Sequence, residues 1–247
     1  LVGFLREQPS TFRISSAGLL PGGSSASVVY QLEDITANTP LRLDRFQRFE
    51  DEVGSWRRWQ LLNVHYVLDK RDLDGPGLER VYEEEGVKVY HLGDPLPRAW
   101  VVHGGVVLED SAAIEFLSRE DFDPRRTAIL GPESEVLVPD EAGRPGAVAK
   151  VVEALPGRLV LDVAPENTGM LVVSQPFYAG WQARVDGEEV PLERVDYLLQ
   201  GVPVTPGPQR IELAYRASFL PAIVSLAVLA FCATALAFFW RRGEAGP

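Results

Sequence analysis

The 22 residues from Phe219 to Trp240 (FLPAIVSLAVLAFCATALAFFW) carry no charge. A helix needs about 20 apolar residues to cross a hydrocarbon core of roughly 30 Å, so this stretch predicts one membrane-spanning helix over 219–240. Ser218 can cap its first turn, and Pro221 falls where backbone N–H groups have no intrahelical partner. Trp240, followed at once by Arg241 and Arg242, marks the far interface. A buried helix of a large soluble protein would keep a polar stripe, whereas this one has only the small hydroxyls of Ser225 and Thr234. Arg241 and Arg242 are balanced by Arg210 and Arg216 on the other side, so charge alone does not set the orientation.

The segment before this stretch is acidic, and the whole chain has a formal net charge of −11. Nucleic-acid phosphates would be repelled by that balance, which excludes nucleic acid as a partner, and no basic patch is available to cling to anionic lipid. Cys232 lies inside the uncharged stretch, so the 218 residues before Phe219 have no thiol. Disulfides, a structural cysteine–zinc site and a cysteine nucleophile are thereby excluded from that part. Residue 1 is Leu, and no signal peptide follows. Residues 1–11 (LVGFLREQPST) are expected to be the tail of an upstream segment, a helical turn or two ending at Pro9, in a fragment of a longer polypeptide.

The periodicity predicts an α+β fold in two parts. A mixed α/β module is expected over 12–138. It opens with a short strand at Phe12–Ser15, a Gly/Ser turn and an extended piece at Val28–Leu32. Apolar residues at Leu43, Phe46, Phe49, Val53, Trp56 and Trp59 recur at helical spacing, with Gly54 as a break. Strands are expected at Leu61–Leu68, Val87–Leu92, Ala99–His103 and Thr127–Leu130, and a helix at Ser111–Ser118 capped by Ser111. Residues 139–146, rich in Pro and Gly, predict a hinge. Beyond it, over 147–216, short strands are separated by turn signals roughly every 8–12 residues, the pattern of an antiparallel β-sandwich. Asp186-Gly187 between two alternating runs predicts a tight hairpin. The last strand, Gln209–Tyr215, leads into the span, so the sandwich should sit close to the bilayer.

No catalytic set is legible. Asp72-Leu73-Asp74 and Asp121-Phe122-Asp123 have a spacing that can hold a divalent cation, but chance supplies such triplets in a chain with 35 acidic residues, and both adjoin turn residues. His103-Gly104-Gly105 has the look of an oxyanion loop, yet no Gly-x-Ser-x-Gly elbow accompanies it. His65, His91 and His103 have no metal-ligand spacing. No metal and no cofactor is expected. One segment stands above background: Gln175-Pro176-Phe177-Tyr178-Ala179-Gly180-Trp181, followed by Val185-Asp186-Gly187. Tyr178 and Trp181 could offer ring faces, and Asp186 a carboxylate, to a sugar. Against that, the two rings could equally plug the sandwich core, with Gly180 serving a tight turn.

This segment resembles the C-terminal part of the YfhO-type bacterial membrane proteins, which carry Gly-Trp, a short strand, Asp-Gly, a Pro-Gly turn and a strand ending in tyrosine before a last membrane helix. The matching elements here are Tyr178–Trp181, Asp186-Gly187, Pro206-Gly207 and Ile211–Tyr215. Earlier pieces of the same kind are 9–14 (PSTFRI), 61–67 (LLNVHYV), 96–99 (LPRA) and 122–125 (FDPR). The resemblance implies a multi-pass protein of the bacterial cell membrane, similar to the GT-C class that transfers sugar from a polyprenyl-phosphate carrier to cell-envelope glycan. This piece would then be its non-catalytic extracytoplasmic part, with the lipid bilayer as partner and 241–247 as a short cytoplasmic tail. The alternative is a structural or partner-docking module with no sugar chemistry.

Overall fold

The computed structural model describes residues 1–8, 12–37, 44–75, 77–134, 136, 145–216 and 228. In chain order the first half forms α1 (Val2–Arg6), β1 (Arg13–Ser15), α2 (Ala26–Tyr30), β2 (Glu33–Asp34), α3 (Asp44–Glu52) and α4 (Ser55–Leu61). It continues with β3 (Val64–Asp69), β4 (Leu78–Glu84), β5 (Val87–Leu92), β6 (Ala99–Val102), β7 (Gly104–Val107), α5 (Asp110–Leu117) and β8 (Thr127–Leu130). The second half is all strand: β9 (Lys150–Leu155), β10 (Arg158–Val163), β11 (Gly169–Pro176), β12 (Trp181–Val185), β13 (Glu188–Val190), β14 (Glu193–Val195), β15 (Leu199–Val204) and β16 (Gln209–Tyr215).

Three sheets result. The first runs β2-β1-β3-β5-β4, the second β6-β11-β15-β14-β8-β7 and the third β13-β12-β16-β10-β9. The third is antiparallel throughout, whereas the first has β1 parallel to both β2 and β3. The six-stranded second sheet is the centre of the molecule because it is buried on both faces. Val101, Leu171, Val173, Val202 and Val204 meet Leu159, Leu161, Ala183, Ile211 and Leu213 of the third sheet, a sandwich core. On its other face, Trp100, Val102, Met170, Val172 and Leu199 pack against Phe49 of α3, Leu61 of α4 and Leu117 of α5. Two-sided burial explains why β11 reads as an unbroken apolar run, Met170–Val173, instead of an alternating one. Each such Val or Leu contributes about 1.5–3 kcal/mol when fully buried.

The central sheet takes β6, β7 and β8 from before residues 139–146 and β11, β14 and β15 from after them. Met170–Val173 pair directly with Ala99–Val102. The expected division into modules at 12–138 and 147–216 is therefore corrected: sheet pairing crosses it. The helical turn expected near the start is α1, and it packs on the body, with Leu5 fully buried in one cluster with Ile14, Tyr66 and Leu68. Of the expected hinge, only residues 145 and 146 are described. The predicted span, 219–240, lies outside the described residues except Val228, as does 241–247. Among the described residues no helix is long and apolar enough to cross a membrane.

Local expectations fared unevenly. From residue 44 on, the expected helical region does form helices, broken at Gly54, and Asp186-Gly187 does turn a hairpin with Val185 opposite Glu188. Both turn residues have positive φ, +52 and +90, as that turn requires. Val28–Leu32, expected to be extended, is mostly the one-turn helix α2, which buries Ala26 and Ser27 and leaves both valines outside. Strands β4, β7, β14 and β15 were not anticipated.

Candidate functional site

Tyr178, Trp181 and Asp186 do not form one site. Trp181 begins β12 opposite Tyr215 of β16, and the Tyr178 and Trp181 rings both lie against that ring, with centroids 6.1 and 5.9 Å away. Gly180 is needed there: its φ is +105, and a Cβ would come within 2.8 Å of the Tyr215 ring. Asp186 lies at the other end of β12, about 16 Å along the strand at 3.3 Å per residue. Its Oδ1 accepts from the Arg210 backbone N–H at 2.8 Å, and its own N–H donates to the Arg210 carbonyl, also at 2.8 Å. Asp186 is a hairpin clasp. Trp181 is half-buried against the sandwich core, so its ring serves packing and surface together.

What Trp181 does reach is a cleft of about 710 Å³ between the first and third sheets, lined also by Arg13, Glu33, Arg98, Arg158 and Gln175, with Val28, Leu32 and Leu155 among its apolar walls. Its floor is a compact polar network. The Arg13 guanidinium donates from Nε to Glu33 Oε2 at 2.8 Å, and Arg98 Nη1 donates to the same oxygen at 2.9 Å. Arg13 Nη2 and Arg98 Nη2 both donate to Gln175 Oε1, at 3.0 and 3.1 Å. Arg13 Nη1 reaches the Ser174 carbonyl at 2.7 Å and the Leu62 carbonyl at 3.4 Å. One side chain thus ties β1 and the turn after α4 to β11.

Electrostatics follow from that geometry. Burial, helped by Arg98, holds the Arg13 guanidinium down at about 10 against the pull of Glu33, so it stays charged at neutral pH. Burial also lowers Arg98, again opposed by Glu33. Burial pushes the Glu33 carboxyl up, but Arg13 and Arg98 outweigh it and hold the group below the usual carboxylate range. Two cations therefore share one ionised carboxylate. Glu33 Oε1 has no hydrogen-bond partner among the described residues, and the Glu33 side chain is 48% exposed, so the cleft presents an acceptor beside Trp181.

Sequence reasoning named Trp181 but not Arg13, Glu33 or Arg98, which line the same cleft. A signal existed. The segments 9–14, 61–67, 96–99 and 175–181, singled out separately for their resemblance, supply Arg13, the Leu62 carbonyl, Arg98, Gln175 and Trp181, and these converge on one cleft.

The other candidates have structural roles. Asp72 pairs with Lys88 at 2.6 Å, Asp121 with Arg119, and Asp123 with Arg126 at 3.1 Å. His103 Nδ1 lies 3.0 Å from the Thr168 carbonyl, and Gly104-Gly105 form strand β7 instead of a loop. His65 sits 3.1 Å from the Asn63 amide, and His91 against the Tyr66 ring. Among the described residues no three His, Cys, Asp or Glu side chains are grouped to hold a metal ion.

Comparison with known proteins gives one family. Residues 150–227 match the family described as bacterial membrane protein YfhO, so this part of the chain is similar to that family. It covers β9–β16 and runs into the uncharged stretch. No curated protein and no solved structure matches the chain.

Proposed function

We propose that this chain is the extracytoplasmic, non-catalytic module of a multi-pass bacterial membrane protein. The parent would be a glycosyltransferase similar to those that use polyprenyl-phosphate-linked sugars on cell-envelope glycan. The cleft walled by Trp181 would hold the sugar portion of that substrate. The observation that carries the reading is the cleft itself, where four segments resembling the family meet, one of them within the part that matches YfhO. Its chemistry suits a sugar: an indole face for C–H contacts, an ionised carboxylate to accept from hydroxyls, and guanidinium donors below. No nucleophile–base pair accompanies these groups, so the sugar would be held here and transferred elsewhere in the parent.

The second reading, a structural or partner-docking module with no sugar chemistry, draws on Arg13, whose donors are spent joining elements. Calorimetric titration of the 247-residue chain in detergent micelles separates the two. A short-chain polyprenyl-phosphate-linked sugar and a soluble envelope glycan serve as ligands. The substrate-handling reading expects binding that weakens in Trp181→Ala and Glu33→Gln. Absence of binding to either ligand would leave the structural reading.

A further inference from the structure

The large apolar side chains that the fold leaves exposed are unevenly distributed. Val28 and Val29 are 76% and 78% exposed, Leu155 58%, Tyr178 46% and Tyr215 40%. These five share one end of the molecule. Val28 and Leu155 both line the mouth of the Trp181 cleft. The Tyr215 N–H donates to the Gly157 carbonyl in the turn that follows Leu155, and Tyr178 stacks on Tyr215. The opposite end of the third sheet carries the Asp186-Gly187-Glu188-Glu189 hairpin instead. Of the other exposed valines among the described residues, Val81 and Val107 lie on β4 and β7, Val148 precedes β9, Val152 lies on β9 three residues from Leu155, and Val228 falls in the uncharged stretch. Scattered single apolar residues are ordinary on a surface, whereas a grouped set marks a contact.

The chain itself names the contact. Tyr215 ends β16, and the uncharged run begins four residues later at Phe219. We infer that Val28, Val29, Leu155, Tyr178 and Tyr215 form a seat that rests in the interfacial zone of the lipid bilayer and turns the cleft mouth toward the membrane. This inference rests on the reading of 219–240 as a membrane span. Tyrosines at such a level match the aromatic enrichment of bilayer interfaces, with an apolar ring body and a wet hydroxyl. The seat works chiefly by apolar area: the rim arginine Arg158 is flanked by Glu153 at 3.7 Å and Glu212 at 3.6 Å, which leaves the exposed Arg216, next to Tyr215, as the cation at this end. Neutral lipid should therefore suffice, and added salt should not release the seat.

The test is spin-label depth measurement on the full chain in phosphatidylcholine vesicles, using Cys232→Ser as background. Leu155→Cys and Tyr178→Cys place labels on the seat, both at exposed positions, and Glu188→Cys places one at the far end. Labels at 155 and 178 should collide with oxygen more than with a water-soluble nickel chelate, and the label at 188 should do the reverse. Alkaline extraction of the same vesicles reports on the span separately. Retained protein whose label at 155 is as accessible to nickel as that at 188 overturns the seat and leaves the span. Extractable protein with a lipid-exposed label at 155 before extraction supports the seat and overturns the span. Extractable protein with a water-exposed label overturns both.

Discussion

Asp196 is a buried carboxyl whose ionisation should set the pH dependence of stability. It is 0% exposed in the turn between β14 and β15, with φ +48. Its N–H donates to the Ile129 carbonyl at 2.8 Å, and its Oδ1 accepts from the Ile129 N–H at 2.9 Å, which clamps β8. Oδ2 has no partner. Burial pushes the group from 3.8 up to about 7, against the Ile129 hydrogen bond and Arg57. A folded-state value above the unfolded one means that the unfolded chain releases its proton first. Stability is full below pH 3.8, falls as pH rises toward about 7 and is level above it. That interval corresponds to about 4 kcal/mol. Asp196→Asn keeps the Oδ1 acceptor, tolerates the left-handed backbone and cannot ionise. Its amide nitrogen, replacing an unpartnered oxygen, costs about 1–3 kcal/mol. The variant should therefore be more stable than the parent above pH 8, by about 1–3 kcal/mol, and no more stable near pH 4. Urea denaturation from pH 4 to 8.5 measures this. Parallel curves for the two proteins across that range would refute the assignment.

Arg13→Met should destabilise by about 3–5 kcal/mol in the same assay, because it strips the Ser174 and Leu62 carbonyls and leaves Glu33 with Arg98 alone. Glu33→Gln, which keeps the shape at a half-exposed position, should cost clearly less. Gly180→Ala should lower the melting temperature more than Gly187→Ala: both have positive φ, but only the first would drive a Cβ into Tyr215. Equal shifts would mean that the ring moves aside freely. Trp181→Ala should cost less than the roughly 3–5 kcal/mol of a fully buried Trp, since its ring is half-exposed; a loss at the top of that range in urea titration would show that the ring belongs to the core.

Gln209–Tyr215 was legible because one face meets the sandwich core and its burial alternates cleanly. Val87–Leu92 and Arg158–Val163 were legible from short apolar runs bounded by turn residues, although their burial is not one-sided: Val89 packs in one core and Tyr90 in another, and Leu159, Val160 and Leu161 are all buried. β15 (LQGVPV) was illegible, since Gly and Pro argue against a strand, yet Gly201 is needed there because Val195 and Met170 occupy the space a side chain would take. β4 (LERVYEE) was hidden by its charge, which suits an exposed edge strand. The helix α2 is a single turn, too short for a period of 3.6 to register. At the site, the aromatic segment was conspicuous, but nothing in the residues around Arg13 distinguishes a buried arginine from a surface one. Asp186 was grouped with Trp181 by nearness in sequence, and an extended strand carries such neighbours far apart.

The central claim is that this body stands outside the cytoplasm, close against the membrane. A single cysteine at Glu188, on the hairpin far from the proposed seat, tests it in intact cells that express the parent protein with Cys232→Ser. A membrane-impermeant maleimide should label Glu188→Cys without permeabilising the cells. Labelling that appears only after permeabilisation would put the module on the cytoplasmic side and contradict the account.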